Sequence, residues 1–420
     1  MRTTIKLVAL LGTCTLVGCS SSAPSSDVPE DDLLAPPPAG AGVQFRMVAM
    51  LDPGVEIQRC KLFVVPPEGL NIQRDEVRFS SGSHHVLLYE TPYAELPTKT
   101  RHGVPIDATQ VHDCKDGPQG EWEINGVFAG SQSRDGVSFL GELPPGVAVK
   151  VPPGKVLLMN THYINASAEP IETDARINIY TIPDDAVEIE AGMLFHYNPF
   201  IDVPARGESS ARMRCTADQD ISVVRIQSHT HSRGVGYVAH KVDLDGKMTE
   251  LYAHDQWENV PTREFSPFLE VKKGEALDYR CDFANAEERE IAQGLTTKDE
   301  MCMLIGPYFP RSPMYENCHT KEGLLAATWF GSGAAACAET LSCLDEAKAV
   351  DGGNGPKSYG CIVNSCEAVG PAISNVIRCQ WSAGYGACAE ACSQPGEACE
   401  SCMASACKAD LDACQIATCG

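Results

Sequence analysis

The stretch VAVKVPPGKVLLMNTHY, Val147 to Tyr163, decides how the chain is read. Val147, Val149 and Val151 alternate with Ala148 and Lys150, and side chains of a β-strand point alternately to opposite faces, so this run presents one apolar face. Pro152-Pro153-Gly154-Lys155 then stops any regular element, because proline fixes φ and lacks an N–H and glycine favours a tight turn. A second apolar run, Leu157-Leu158-Met159, continues into Asn160-Thr161-His162-Tyr163 and carries a histidine late in its strand. The unit is strand, turn, strand.

The same texture extends in both directions. Val43-Gln44-Phe45-Arg46-Met47, Ile177-Asn178-Ile179-Tyr180 and Ile221-Ser222-Val223-Val224 are short apolar or alternating runs, and Asp245-Gly246-Lys247 is a further turn signal. Many short strands at this spacing predict β-sandwiches. The roughly 290 residues from Val43 to about Phe330 exceed one ordinary sandwich, so two are expected, at 43–185 and 186–332, joined near Pro183-Asp184-Asp185. Past Gly331 alanine and cysteine dominate and strand texture ends. Twelve of the 20 cysteines lie in this tail, 333–420, an even number that fits six bridges. Cys361 to Cys366, Cys402 to Cys407 and Cys414 to Cys419 share one spacing, which suggests stapled helical turns. A thiolate metal store is the alternative, and an oxidising compartment favours the disulfide scaffold.

That compartment is inferred from the N-terminus. Met1-Arg2 and Lys6 supply positive charge, Leu7 to Leu11 an apolar run, and Leu16-Val17-Gly18-Cys19 resembles a bacterial lipobox. Residues 1–18 then read as a lipoprotein signal peptide, with Cys19 lipidated; a plain signal peptide with an incidental cysteine is the other reading. Residues 19–42, with Pro36-Pro37-Pro38, read as a flexible tether. The expected location is an exported, lipid-anchored one, at the outer membrane on its periplasmic or surface face, with membrane contact through the anchor only. The formal charge of −23 and the lack of a basic stripe argue against nucleic-acid binding.

Three further places carry chemistry. Ser83-His84-His85-Val86 puts two adjacent histidines at the start of an apolar strand, His229-Thr230-His231 places two on one strand face, and Lys298-Asp299-Glu300-Met301-Cys302-Met303 opens another apolar run. Taken singly, each is an ordinary strand histidine or core methionine. Together and in this order, HH, THY, HTH and EMC resemble the copper type II, ascorbate-dependent monooxygenases, a family that includes peptidylglycine α-hydroxylating monooxygenase and dopamine β-monooxygenase. The match runs roughly from Val43 to Pro310. Its strongest part is Ala191-Gly192-Met193, His229-Thr230-His231, Tyr279-Arg280-Cys281 and Asp299-Glu300-Met301-Cys302.

The resemblance implies an all-β fold of two tandem jelly-roll sandwiches, here followed by a small disulfide-rich helical module. It implies two coppers per chain: one held by His84, His85 and His162, the other by His229, His231 and Met301, the latter three being the catalytic set. It also implies the disulfides Cys60–Cys114, Cys215–Cys318 and Cys281–Cys302. Imidazole suits copper in both oxidation states and a thioether favours the cuprous ion. Adjacent His84 and His85 can share a metal only across a twist or bulge, or through different ring nitrogens. The implied reaction hydroxylates a C–H bond of a small substrate with dioxygen and ascorbate or an equivalent reductant, with the two metals kept apart on two domains. Using every core cysteine in bridges argues against a blue-copper site, and Glu300 should face away from Met301, against an iron site.

Three departures bear on substrate. Gln227 stands where peptide-amidating members carry an arginine, and Met303 and Ile305 where they carry Asn and Tyr, which makes a glycine-ended peptide doubtful. Arg225 could bind an anion, though pairing with a surface carboxylate is the simpler expectation. Two competing readings are a non-catalytic copper-binding surface lipoprotein, whose Cys-rich tail docks a protein partner, and a metal-free structural sandwich.

Overall fold

The computed structural model describes residues 33–420 apart from 115, 116, 134, 135, 354 and 395. The leader, Cys14 and the proposed lipidation site Cys19 lie outside the described residues. From 36 to 420 the chain forms one compact unit.

The first half contains β1 (Gly42–Leu51), β2 (Glu56–Val64), β3 (Leu70–Phe79), β4 (Ser83–Glu90), β5 (Val111–Asp113), β6 (Gly126–Ser131), β7 (Val147–Val151), β8 (Val156–Ile164), β9 (Ile171–Thr181) and β10 (Ile189–Glu190). They form two five-stranded sheets, ordered β1-β9-β3-β7-β10 and β5-β2-β8-β4-β6. Alternation sets which faces meet. In β1, Phe45, Met47, Ala49 and Leu51 are buried, and they join Leu88, Met159 and Tyr163 of the other sheet in one core. β1 and β9 stay in register over ten pairs, from Gly42 opposite Tyr180 to Leu51 opposite Ile171.

The strand β8 departs from simple alternation, because nearly all of it is buried. Its odd-numbered residues Leu157, Met159 and Tyr163 face the main core. Its even-numbered Val156 and Leu158 pack into a second, smaller core with Leu62, Tyr89 and Trp122. Cys60–Cys114 ties the segment after β4 down onto that outer face. Further along the same face come Asn160 and His162, both buried.

The second half contains β11 (Gly192–Tyr197), β12 (Asp202–Val203), β13 (Glu208–Thr216), β14 (Ile221–His229), β15 (Gly234–Val242), β16 (Met248–His254), β17 (Arg263–Val271), β18 (Ala276–Ala284), β19 (Ile291–Ala292), β20 (Met303–Phe309) and β21 (Ala327–Phe330). Its larger sheets are ordered β16-β15-β18-β13-β21 and β11-β20-β14-β17. Leu194, Ile226 and Leu304 turn into a core shared with Met213, Tyr237 and Tyr279 of the facing sheet. The opposite face of β11 and β20, with Met193, Met303 and Ile305, joins the core of the first half. Strands β14 and β20 approach closely at Gly306, where a Cβ would stand 2.1 Å from the Arg225 carbonyl oxygen.

The two halves are therefore joined through buried apolar side chains. Arg311 reinforces the junction, pairing with Glu90 at 3.3 Å, Glu190 at 2.9 Å and Glu316 at 2.7 Å. The crossover falls later than the Pro183-Asp184-Asp185 signal suggests, since β10 pairs in parallel with β7 and keeps the chain on the first sheet to Glu190.

The tail is helical: α1 (Cys337–Asp351), α2 (Pro356–Val363), α3 (Gly370–Tyr385), α4 (Glu397–Ala406) and α5 (Lys408–Ile416). Six bridges staple it, Cys337–Cys414, Cys343–Cys361, Cys366–Cys419, Cys379–Cys407, Cys388–Cys402 and Cys392–Cys399. No repeat pair closes on itself, although Cys366 and Cys419, from two different pairs, are bonded to each other. The helices also share the core of the second half: Ile373 and Val376 pack with Ala327 and Trp329. Ser374 accepts a hydrogen bond from the Trp329 N–H at 2.8 Å, and Arg378 donates to the Leu325 carbonyl at 2.7 Å. No described helix is long and apolar enough to cross a membrane.

Candidate metal centre

The first donor set grows from the pairing of β4 with β8. His85 lies directly opposite His162, and the register shifts between Ser83 and His85. That irregularity is the bulge two neighbouring histidines require if they are to turn toward one point. Donor atoms of His84, His85 and His162 all lie within 4.8 Å of one another. The Nδ1 atoms of His84 and His85 are 3.3 Å apart. The three ring centroids form a near-equilateral triangle with sides of 5.4, 5.5 and 5.3 Å. Trp257 of the second half stacks beside His84 at 6.2 Å.

His162 shows what this triangle suits. Its Nε2 donates to Glu56 Oε1 at 3.0 Å. Its Nδ1 is buried without a hydrogen-bond partner. A carboxylate on one ring nitrogen fixes the tautomer and leaves a bare lone pair on the other, the usual preparation of a metal-ligating imidazole. The hydrogen bond from His162 holds the Glu56 carboxyl down to about 2, and the Thr297 hydroxyl and N–H add to the effect. Burial, followed by the neighbouring histidines, drives His85 well below its ordinary value, so its ring is neutral.

The second set stands at the end of β14. His229 lies opposite Met303 across the β14–β20 ladder. Its Nδ1 donates to Gln132 Oε1 at 2.6 Å, and Gln132 Nε2 donates back to the Ser228 carbonyl at 2.6 Å. His231 Nδ1 donates to the Asp299 carbonyl at 3.0 Å. Each bond spends the Nδ1 proton and leaves Nε2 as an acceptor. Burial pushes His231 down to about 4 and His229 well below its usual range. Met301 lines the same cavity as both rings.

Met301 lies just before β20 rather than on the strand, and its neighbours fix it. Cys302 is bridged to Cys281 of β18. Glu300 is fully buried. It turns away from the cavity to accept the N–H groups of His231 and Arg233, each at 2.8 Å. Burial raises the Glu300 carboxyl to about 7 against the pull of those N–H groups. The structure also places Cys60 with Cys114 and Cys215 with Cys318 in disulfides.

The separation of the two sets differs from the expectation of metals kept apart on two domains. The His85 and His229 ring centroids are 6.1 Å apart, and both rings line one cavity. The reason is the way the halves meet: the outer face of the β4–β8 pair is covered by the β11-β20-β14-β17 sheet. Glu56 spans the same junction, binding His162 on one side and Thr297 Oγ1 on the other at 2.5 Å.

Arg225 does not face the cavity. It pairs with the exposed carboxylate of Glu264 at 2.7 Å. Gln227 donates to the Thr262 hydroxyl. Glu56, Gln132 and Trp257 are marked by no local motif, because their roles depend on partners remote in the chain; Glu300, expected to face away from Met301, does so and binds the His231 turn.

Residues 190–324 match the family model described as copper type II ascorbate-dependent monooxygenase, C-terminal domain. The chain is 24% identical over 299 residues to MOXD1 homolog 2 of Drosophila melanogaster, covering 63% of this chain and 38% of that protein. It is 27% identical over 208 residues to DBH-like monooxygenase protein 1 of Homo sapiens, covering 44% and 33%. It is 25% identical over 287 residues to the Gallus gallus protein of the same name, covering 61% and 43%. The chain thus spans well under half the length of these relatives.

Proposed function

We propose, from the match of residues 190–324 to the copper type II, ascorbate-dependent monooxygenase family and from the donor geometry, that the chain is a copper-dependent monooxygenase that hydroxylates a C–H bond of a small molecule. Under this reading His84, His85 and His162 hold one copper, and His229, His231 and Met301 hold the other and form the catalytic set. The observation that carries the proposal is the buried, unpartnered Nδ1 of His162, aimed among two further imidazoles while Glu56 fixes its opposite nitrogen. The donor chemistry fits copper: neutral nitrogens in both sets and a thioether in one, with every described cysteine of the sandwiches in a disulfide and unavailable as a thiolate.

Copper bound there supplies one-electron exchange with a reductant and activation of dioxygen. Overall, one oxygen atom enters the C–H bond and the other leaves as water, with two protons and with two electrons from ascorbate or an equivalent donor. The protein's own contribution is orientation. Gln132, Glu56 and the Asp299 carbonyl each hold one ring nitrogen, so the imidazoles present fixed lone pairs. Glu300 gathers the turn after His231, and Cys281–Cys302 anchors the residue after Met301. The apolar walls exclude bulk water from the place where the C–H bond is attacked.

From β1 to β4 and from β6 to β9 successive strands cross between the facing sheets, and the orders β1-β9-β3-β7 and β2-β8-β4-β6 support reading the first half as a jelly roll. Export with a lipid on Cys19 belongs to the proposal as well, supported by the leader signals and the bridged cysteines.

Copper-loaded protein should consume oxygen with ascorbate and a substrate. Undiminished turnover by Met301→Ile would refute the assignment. Copper binding with no coupled hydroxylation of any compound would favour the non-catalytic copper module instead.

A further inference from the structure

The cavity beside the donors has a volume of about 150 Å³. An apolar cavity of about this size accommodates a single benzene ring. Besides His85, His229, His231 and Met301, its walls include Leu87, Tyr89, Phe139, Phe195, Met303 and Ile305. None of its described lining residues is an aspartate, glutamate, lysine or arginine.

Apart from the donor nitrogens of His229 and His231, several polar groups in the wall are committed to the protein itself. Gln132 is used at both ends, by His229 and by the Ser228 carbonyl. Gln58 donates to the Leu295 carbonyl at 3.0 Å. Asn160 Nδ2 donates to the Arg59 carbonyl at 3.2 Å. Asn160 Oδ1 and the Tyr197 hydroxyl, in contrast, are buried with no hydrogen-bond partner, and of the two the amide oxygen can only accept. A buried acceptor left unpaired is costly, and a donor brought by a ligand would satisfy it.

We infer that the cavity takes an uncharged molecule with an apolar body the size of one ring and one neutral hydrogen-bond donor, a hydroxyl or amide N–H, that meets Asn160 Oδ1. A carboxylate or ammonium would leave water for a wall that offers no opposite charge, and that desolvation goes unrepaid. The inference rests on reading the adjoining donors as the place where substrate and dioxygen meet; it adds the substrate's chemical class.

The test is calorimetric titration of the metal-free full chain with benzyl alcohol, benzoate, benzylammonium and toluene. Benzyl alcohol is expected to bind at least tenfold more tightly than either ion and more tightly than toluene. Asn160→Leu should erase the preference for benzyl alcohol over toluene. Ile305→Trp, which fills the cavity, should abolish binding of both while far-UV circular dichroism and cooperative unfolding stay those of the wild type. Equal or tighter binding of an ion, no binding of benzyl alcohol, or unchanged binding in a folded Ile305→Trp variant would overturn the inference. Copper and oxygen play no part in this titration. A failed oxygenase assay therefore leaves its result standing, and a failed titration leaves the donor geometry standing.

Discussion

Gln132 of the first half and His229 of the second are joined through the imidazole Nδ1 proton, 2.6 Å from Gln132 Oε1. One side chain thus sets the tautomer of a donor carried by the other half of the molecule. Gln132→Leu removes the acceptor and strands the Nδ1 proton in a buried place. Affinity for the second copper should fall about 10–100-fold, with the first site little changed, when titrated against a competing chelator. Gln132→Glu keeps an acceptor and should retain more of the affinity than Gln132→Leu.

Glu56 plays the corresponding part for His162. Glu56→Gln exchanges a carboxylate for an amide that hydrogen-bonds the ring more weakly. The first site should lose about 10–100-fold in copper affinity while the second keeps its own, a pattern opposite to that of the Gln132 variants. Because Glu56 also binds Thr297, proteolysis of the 293–300 loop should be faster in the variant.

Cys281 and Cys302 close a loop with a sequence separation of 21. Replacing both by serine should cost about 3 kcal/mol in chemical denaturation, by the chain-entropy estimate for loops of this length. Since Cys302 follows Met301, the second copper should also be held more weakly than in the wild type.

Asp75 supplies a pH dependence away from the donors. Burial pushes its carboxyl up to about 7, although Ser138, the backbone N–H groups of Gly130 and Gly141, and Arg225 all pull it down. The folded state therefore holds this proton more tightly than the unfolded chain, and stability falls as pH rises from about 4 to 7. The contribution lost over that window is about 4 kcal/mol. Asp75→Asn cannot ionise. The stability difference between variant and wild type should shift in the variant's favour as pH rises through that window, in denaturant titrations at pH 5 and pH 8.

Much of this was legible in the chain because the relevant signals are local. The alternation in Val147–Val151 and the Pro-Pro-Gly turn mark a strand and its end; His229-Thr230-His231 marks a donor pair, although the strand ends at His229 and His231 lies just past it. The even count of tail cysteines fits the six bridges seen, though not their partners. What sequence could not supply depends on contacts across the fold. The bulge between Ser83 and His85 is a property of the β4–β8 pairing. The partners Gln132 and Glu56 stand 97 and 106 residues from the rings they orient. The 6.1 Å approach of His85 to His229 follows from the docking of one sheet face on another, which no strand pattern encodes. The helical tail reads as a separate module by composition, yet Ile373 and Val376 complete a core begun by the strands.

The most direct measurement is X-ray absorption of the copper(I)-loaded chain, with copper counted per chain. Two coppers are expected, with nitrogen ligation at both and a sulfur scatterer that disappears in Met301→Ile. A single copper, or a spectrum with no sulfur contribution in the wild type, would contradict the assignment.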